Sequence, residues 1–182
     1  MTMGTGGERR GGGRGTFAVW GGAGLLLLAP WAAMQVTGEV NWDLADFVLL
    51  GVLLAGACGA YELATRTTGS WSYRLGVGVA AVTAVLLILV NLAVGFIGSE
   101  DDTANLVFAG VLAIGAVGAV VGRFRPRGMA LAMAATGLAQ ASVAAVGLAV
   151  GWDVPLAPTA VFTTLWLGAA WLFHKAQGAG AR

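Results

Sequence analysis

Six apolar stretches alternate with short polar segments along the chain, and each is long enough to cross a membrane. A bilayer core about 30 Å thick takes roughly 20 helical residues to span. The sequence therefore predicts an all-α fold, a polytopic membrane helix bundle with transmembrane helices at residues 17–37, 44–65, 75–98, 103–122, 129–151 and 155–173. Because the connecting segments are short, we expect consecutive helices to be antiparallel neighbours.

The fixed charges alternate from one connecting segment to the next. Lysine and arginine occur in both tails and in the segments after the second and fourth spans, whereas the other three segments hold only acids. Membranes retain Lys/Arg-rich segments on the cytoplasmic side. We therefore expect both termini in the cytoplasm and the chain in an inner (plasma) membrane. The ten basic residues are Arg9, Arg10, Arg14, Arg66, Arg74, Arg123, Arg125, Arg127, Lys175 and Arg182.

Composition supports a membrane protein of one domain. A hydrophobic fraction of 58% with only 10% charged residues is too apolar for a soluble chain of 182 residues. We expect a disordered, basic, Gly-rich tail at 1–15, a membrane domain at 16–175 and a second tail at 176–182. The basic start and Leu25–Leu28 resemble a signal peptide, but Pro30 and Trp31 interrupt any cleavage site, so we expect the first span to be retained.

Several residue types mark the expected helix ends and contacts. Asp43, Asp102 and Asp153 precede spans two, four and six, where a carboxylate can accept the free N–H groups of a first turn, and Pro155 suits the first turn of span six. Two Gly-x-x-x-Gly pairs would allow close helix approach. Five tryptophans are expected at the membrane interfaces. The pairs are Gly118 with Gly122 and Gly147 with Gly151, and the tryptophans are Trp31, Trp42, Trp71, Trp152 and Trp171.

Polar side chains inside the spans are candidate functional residues, because a membrane interior penalises them. Glu62 precedes Arg66 by four residues, so it forms either a surface ion pair or a carboxylate that faces the bundle interior. For Asn91 and Gln140, deeper in spans three and five, we expect hydrogen bonds to neighbouring helices, with a site role as the alternative. Asp46 and Asn105 are further candidates near the outer ends of spans two and four.

Three consecutive acids, Glu100, Asp101 and Asp102, lie between spans three and four. They would either attract cations to the outer surface or only cap a helix and contact water.

The residue inventory argues against an enzyme. His174 is the single histidine, so one chain cannot build a bis-histidine haem site, a multi-histidine metal site or a Ser-His-Asp triad. With Lys175 it is expected to anchor the last helix at the cytoplasmic surface. Cys58 can form no internal disulfide and is expected to be a small buried apolar residue. We predict no cofactor, no metal site and no nucleic-acid partner.

Two segments carry a resemblance. NWDLADF at 41–47 and NLAVGFIGSEDDTAN at 91–105 resemble a group of small uncharacterised bacterial multi-pass membrane proteins, over about residues 41 to 150. The resemblance implies a bacterial membrane location and no activity.

Two functions remain open from the sequence. The first is a small transport or permeation component for a cation or a proton. The second is an accessory or structural subunit of a larger membrane complex. A transporter should place Glu62, Asn91 or Gln140 on a common interior cavity, whereas an accessory subunit should place them on a stripe that faces lipid or a partner. Beyond the bilayer, a second copy or another membrane protein is the partner to expect.

Overall fold

A computed structural model describes residues 11–37, 41–93, 96–97 and 103–179. Every regular element in these ranges is helical, as predicted. Each of the six long helices is apolar and long enough to cross a membrane, which confirms the multi-pass, all-α prediction. The helices are α1 (Gly11–Val36), α2 (Leu44–Thr67), α3 (Trp71–Ala93), α4 (Leu106–Val121), α5 (Pro126–Val150) and α6 (Leu156–Ala179), and a 3-10 turn (Thr103–Asn105) leads into α4.

Several helix boundaries differ from the predicted spans. Helix α1 begins at Gly11, inside the segment expected to be a tail, and residues 1–10 lie outside the described part. Helix α5 begins three residues early because Pro126 occupies its first turn, where the missing N–H costs nothing. Helix α6 continues beyond residue 173 through His174, Lys175 and Gln177.

Of the three predicted aspartate caps, the structure supports one. Asp43 accepts the N–H of Asp46 at 3.0 Å, and Asp46 accepts the N–H of Asp43 at 2.9 Å, which is a reciprocal capping box built from two aspartates. Asp153 is not the cap of α6, because that helix begins at Leu156 and its first N–H bond, from Thr159, reaches the carbonyl of Pro155. Asp102 lies outside the described residues.

The chain divides into two compact units, residues 1–66 and 67–182. In unit 1, α1 and α2 are joined by polar contacts. The Trp20 indole donates to Glu62 at 3.2 Å, and the Cys58 thiol lies 3.9 Å from the carbonyl of Val19. Cys58 is buried and forms no disulfide, in agreement with its expected role as a small apolar residue.

Unit 2 contains α3 to α6. Helix α5 packs against α4 on one side and α6 on the other, and α3 packs mainly against α6. Phe108, Phe173 and Leu87 are fully buried in its core. At the end where α4 meets α5, here called the basic end, Tyr73 donates its hydroxyl to the carbonyl of Phe124. The basic end carries Arg74, Arg123, Arg125, Arg127 and Lys175.

The two Gly-x-x-x-Gly pairs serve different purposes. On α4, a Cβ at Gly118 would lie 2.8 Å from the Cβ of Ala132, and one at Gly122 would lie 2.7 Å from the Cα of Gly128. This pair therefore lets α4 and α5 touch backbone to backbone, as predicted. The pair on α5 instead ends the helix, because Gly151 has φ +81° and the carbonyl of Gly147 accepts the N–H of Gly151 and of Trp152.

Candidate functional site

Gln140 lies in the middle of α5, and its side chain is 0% exposed. Neither its amide oxygen nor its amide nitrogen has a hydrogen-bond partner. The predicted bond to a neighbouring helix is therefore not formed. Val111 of α4 and Val143 of α5, which are also buried, belong to the same core. A primary amide with four hydrogen-bonding positions is thus buried without a hydrogen-bond partner among the described residues.

Two further unpaired polar atoms lie on α6, one on Thr163 at the level of Gln140 and one on Trp166 about one helical turn away from that level. A Cβ built on Gly137 would lie 3.1 Å from Cδ2 of Leu167 and 3.3 Å from Cβ of Trp166, which fixes the register of the two helices. Helices α5 and α6 are antiparallel, so a step forward along α5 matches a step back along α6. Gln140, three residues after Gly137, therefore lies at the same depth as Thr163, three residues before Trp166. Thr163 Oγ1 and Trp166 Nε1 are both buried without a partner.

We call Gln140, Thr163 and Trp166 the α5–α6 polar cluster. Other buried threonines show how such groups are normally satisfied. Thr83 and Thr136 each donate to the carbonyl four residues earlier, at 2.7 and 2.8 Å. Gln140, Thr163 and Trp166 have no such hydrogen bond to a backbone carbonyl. An unmade hydrogen bond on a buried group costs about 1–3 kcal/mol, so the cluster is a costly feature at the centre of an apolar unit.

Asn91 does not bond across to another helix, contrary to the prediction. Its amide nitrogen donates to the carbonyl of Leu87, one turn earlier in α3, at 2.8 Å. Its Oδ1 is buried and has no partner. Since α3 packs on α6, Asn91 adds a fifth unpaired polar atom to unit 2, and these five are all that the described residues contain.

Glu62 makes the ion pair with Arg66 that the four-residue spacing predicted. Its second carboxylate oxygen accepts the Trp20 indole N–H. Arg66 is 74% exposed and Glu62 is 23% exposed, so the pair reaches the surface while the carboxylate also links α1 to α2. Both oxygens of Glu62 are therefore used within unit 1, which argues against the interior proton-relay interpretation.

Asn105 holds the backbone of Phe96 and Ile97 in place. Its Oδ1 accepts the N–H groups of Phe96 and Ile97, both at 2.8 Å, and its Nδ2 donates to the carbonyl of Ile97 at 3.1 Å. These bonds set Phe96 into the core, where its ring lies 4.8 Å from Phe108 and 5.4 Å from Phe162. Asn105, predicted as a functional candidate, thus positions the end of unit 2 opposite the basic end.

The remaining candidates contribute less to a site. Asp46 is engaged in the cap of α2. Glu100, Asp101 and Asp102 lie outside the described residues, so their arrangement stays a prediction. Over the described ranges, no three His, Cys, Asp or Glu side chains come together in a group that could hold a metal ion.

Sequence reasoning missed Thr163 and Trp166. The sequence predicts tryptophans at the membrane interfaces, and Trp31, Trp71 and Trp171 are largely exposed. Trp166 is 3% exposed and lies in the middle of α6. A tryptophan far from both ends of a span was the available signal, because its N–H needs a partner when it is buried.

Comparison of the chain with protein-family models, with curated proteins and with solved structures gives no match. Its function therefore has to be inferred from its own residues.

Proposed function

We propose that this membrane protein is a small permeation or transport component for a cation or a proton, and that unit 2 is its working part. The observation that supports this best is the Gln140 amide, which is fully buried and has no hydrogen-bond partner for either its oxygen or its nitrogen. A buried polar residue in a membrane helix is a candidate for a pathway by default. A partner of matching chemistry, either water or a solute, would relieve the cost of leaving it unpaired.

The atoms available suit a monovalent species. Gln140 Oε1, Thr163 Oγ1 and Asn91 Oδ1 are neutral oxygens without partners, and such oxygens can replace the hydration water of a cation. Divalent ions are typically bound by carboxylates, and none of these three residues supplies one. A hydrated proton could pass along the same atoms.

Orientation follows from the charge pattern, as a second part of the proposal. The basic end faces the cytoplasm of a bacterial cell, in its plasma membrane, and both termini lie on that side. Glu100, Asp101 and Asp102 then face outward, where they raise the local concentration of cations. That attraction weakens as ionic strength rises.

Cation uptake into reconstituted vesicles tests this function. We expect Gln140→Leu to reduce uptake severalfold, because it removes both amide atoms while keeping a side chain of similar length. Gln35→Leu is the matched control, since Gln35 is exposed and bonds only to the carbonyl of Trp31 in its own helix. Uptake by the wild-type protein no greater than that of empty vesicles would remove the proposal, and so would equal loss in both variants.

The acidic segment gives a second arm of the same assay. Glu100→Gln combined with Asp101→Asn should lower uptake at low ionic strength and have little effect at high ionic strength, because long-range attraction is screened. Uptake equal to wild type at low salt would exclude a role for these acids.

One observation favours the alternative, an accessory subunit of a larger membrane complex. A Cβ added at Gly21, Gly24, Gly56 or Gly59 would meet nothing within 4 Å, so these small residues serve no close contact within the described part of unit 1. Small residues on membrane helices typically allow a neighbouring helix to approach. Gly56→Leu with Gly59→Leu should then leave the purified chain stable but reduce the size of its complex in native membrane extracts. An unchanged complex would oppose this alternative.

A further inference from the structure

A groove between α5 and α6 opens at the basic end of unit 2. Its polar lining consists of Arg127 near the start of α5 and of His174 and Gln177 near the end of α6. Further along the two helices, away from that end, the lining becomes apolar, with Leu131, Trp171 and several alanines. The groove therefore changes from polar to apolar within two helical turns.

The polar part of the groove is lined by one arginine, Arg127, and further basic residues lie beside it. Arg123, Arg125 and Arg127 lie within five residues at the turn into α5, and the N-terminal turn of α5 adds free N–H groups and the positive end of its dipole. Lys175 lies with its Nζ 4.4 Å from the centre of the Trp171 ring, at the rim. In the described part of unit 2, the single carboxylate side chain is that of Asp153, at the other end of the unit.

The side chains inside the mouth can donate hydrogen bonds. Arg127 presents a guanidinium, which matches a phosphate in two-pronged geometry. Gln177 Nε2 lies 3.3 Å from His174 Nδ1. If the amide donates there, the imidazole carries its proton on Nε2 and can donate that proton to a ligand.

We propose that this groove binds one anionic phospholipid, with the headgroup phosphate at Arg127 and His174 and an acyl chain along Leu131 and Trp171. Basic pockets between membrane helices recognise such headgroups on the cytoplasmic side. A free phosphate would use only the mouth, whereas a lipid uses both the basic mouth and the apolar length. The lining therefore favours the lipid, independently of any transport function.

Thermal unfolding in detergent, with added lipid, tests the proposal. We expect phosphatidylglycerol to raise the unfolding temperature more than phosphatidylcholine with the same acyl chains. Inorganic phosphate and glycerol phosphate at equal concentration should have little effect. Equal stabilisation by phosphatidylcholine would overturn the requirement for an anionic lipid, and equal stabilisation by glycerol phosphate would overturn the role of the acyl chain.

Variants separate the groove from general surface charge. Arg127→Gln should weaken phosphatidylglycerol binding about fivefold, the effect of one basic side chain near a lipid surface. Arg125→Gln removes the same charge two residues away, outside the groove, and should have a smaller effect. Equal loss in both variants would show diffuse attraction and overturn the site.

A further pair of variants tests the apolar part and does not depend on Arg127. Ala134→Phe would fill the groove beside Leu131, whereas Ala135→Phe on the same helix lies outside it. We expect only Ala134→Phe to reduce binding of phosphatidylglycerol, measured by native mass spectrometry of the folded protein. Unchanged binding in Ala134→Phe would overturn the assignment of the acyl chain to this groove.

Discussion

Two asparagines of unit 2, Asn91 in helix α3 and Asn105 in the 3-10 turn before α4, have opposite energetic roles. Asn105 makes three hydrogen bonds to the backbone of Phe96 and Ile97. Asn91 makes one, to its own helix, and leaves a buried oxygen unpaired. The same side chain therefore stabilises the fold at position 105 and destabilises it at position 91. A buried polar group contributes to stability when it is hydrogen-bonded and lowers stability when it is not.

Asn105→Ala should destabilise the protein. It removes the acceptor of two N–H groups and the donor to one carbonyl, and it releases Phe96 from its contact with Phe108. We expect the unfolding free energy in detergent to fall by about 2–4 kcal/mol, since buried backbone groups lose their partners. Asn41→Ala, the same change at an exposed residue before α2, is the control and should have little effect. Similar values for both variants would contradict the role given to Asn105.

Asn91→Leu should be neutral or stabilising. A bond to a neighbouring helix would predict a loss of about 0.5–2 kcal/mol, but the structure places the bond within α3. Leucine removes an unpaired buried oxygen, and a shape-matched apolar replacement of such a group is nearly neutral or stabilising. Thermal unfolding in detergent measures the change. A loss of more than about 1 kcal/mol would show that the side chain of Asn91 has a partner outside its own helix.

At the scale of the helix, contacts of α4 with α5 depend on small residues at defined positions. Gly118 faces Ala132, whereas Gly110 on the same helix faces open space, with nothing within 4 Å of an added Cβ. Two glycines eight residues apart thus have different reasons to be glycine. Gly118 is required by its contact with Ala132, whereas Gly110 makes no such contact and only lowers the helix propensity of α4.

Alanine substitutions at these glycines should change stability in opposite directions. Gly110→Ala should raise the unfolding free energy by up to about 1 kcal/mol, because alanine loses less conformational freedom in a helix. Gly118→Ala should lower it by about 1–3 kcal/mol, because its Cβ would lie 2.8 Å from the Cβ of Ala132 and the helices must separate. Chemical or thermal unfolding of both variants in one detergent provides the test. Stabilisation by Gly118→Ala would contradict the close α4–α5 packing.

The helices themselves could be predicted from the sequence, because a membrane span requires about 20 apolar residues whatever its neighbours. Their inward faces could not. Apolar residues surround every helix on all sides, so periodicity does not mark the buried face. Gln140 was found because a polar residue in a span is rare, whereas Thr163 and Trp166 became part of the site only when the register of α5 and α6 was known. The start of α6 was also not predictable in detail: the sequence indicates Asp153 as its cap, but the helix begins at Leu156.

At the scale of the whole molecule, the buried polar groups and the fixed charges are unevenly distributed. All five unpaired buried side-chain atoms in the described ranges belong to unit 2. In unit 1, the carboxylates of Asp43, Asp46 and Glu62 are all engaged in caps or pairs. The polar features that a solute could use are therefore in α3, α5 and α6, and α1 and α2 offer exposed apolar and glycine faces.

Orientation in the membrane decides how these features are used, and reporter fusions can measure it. We expect reporters at the N- and C-termini to read as cytoplasmic and a reporter at Asp101 to read as external, because ten lysines and arginines lie in tails and alternate segments. That orientation would place Arg127 and His174 at the inner leaflet, where anionic lipids attract basic segments. Replacing Arg123, Arg125 and Arg127 together by glutamine should then weaken that preference and yield a mixed signal at Asp101. An external C-terminal reporter together with a cytoplasmic N-terminal reporter would contradict the six-span topology, whereas two external termini with a cytoplasmic signal at Asp101 would keep six spans and place the lipid groove in the outer leaflet.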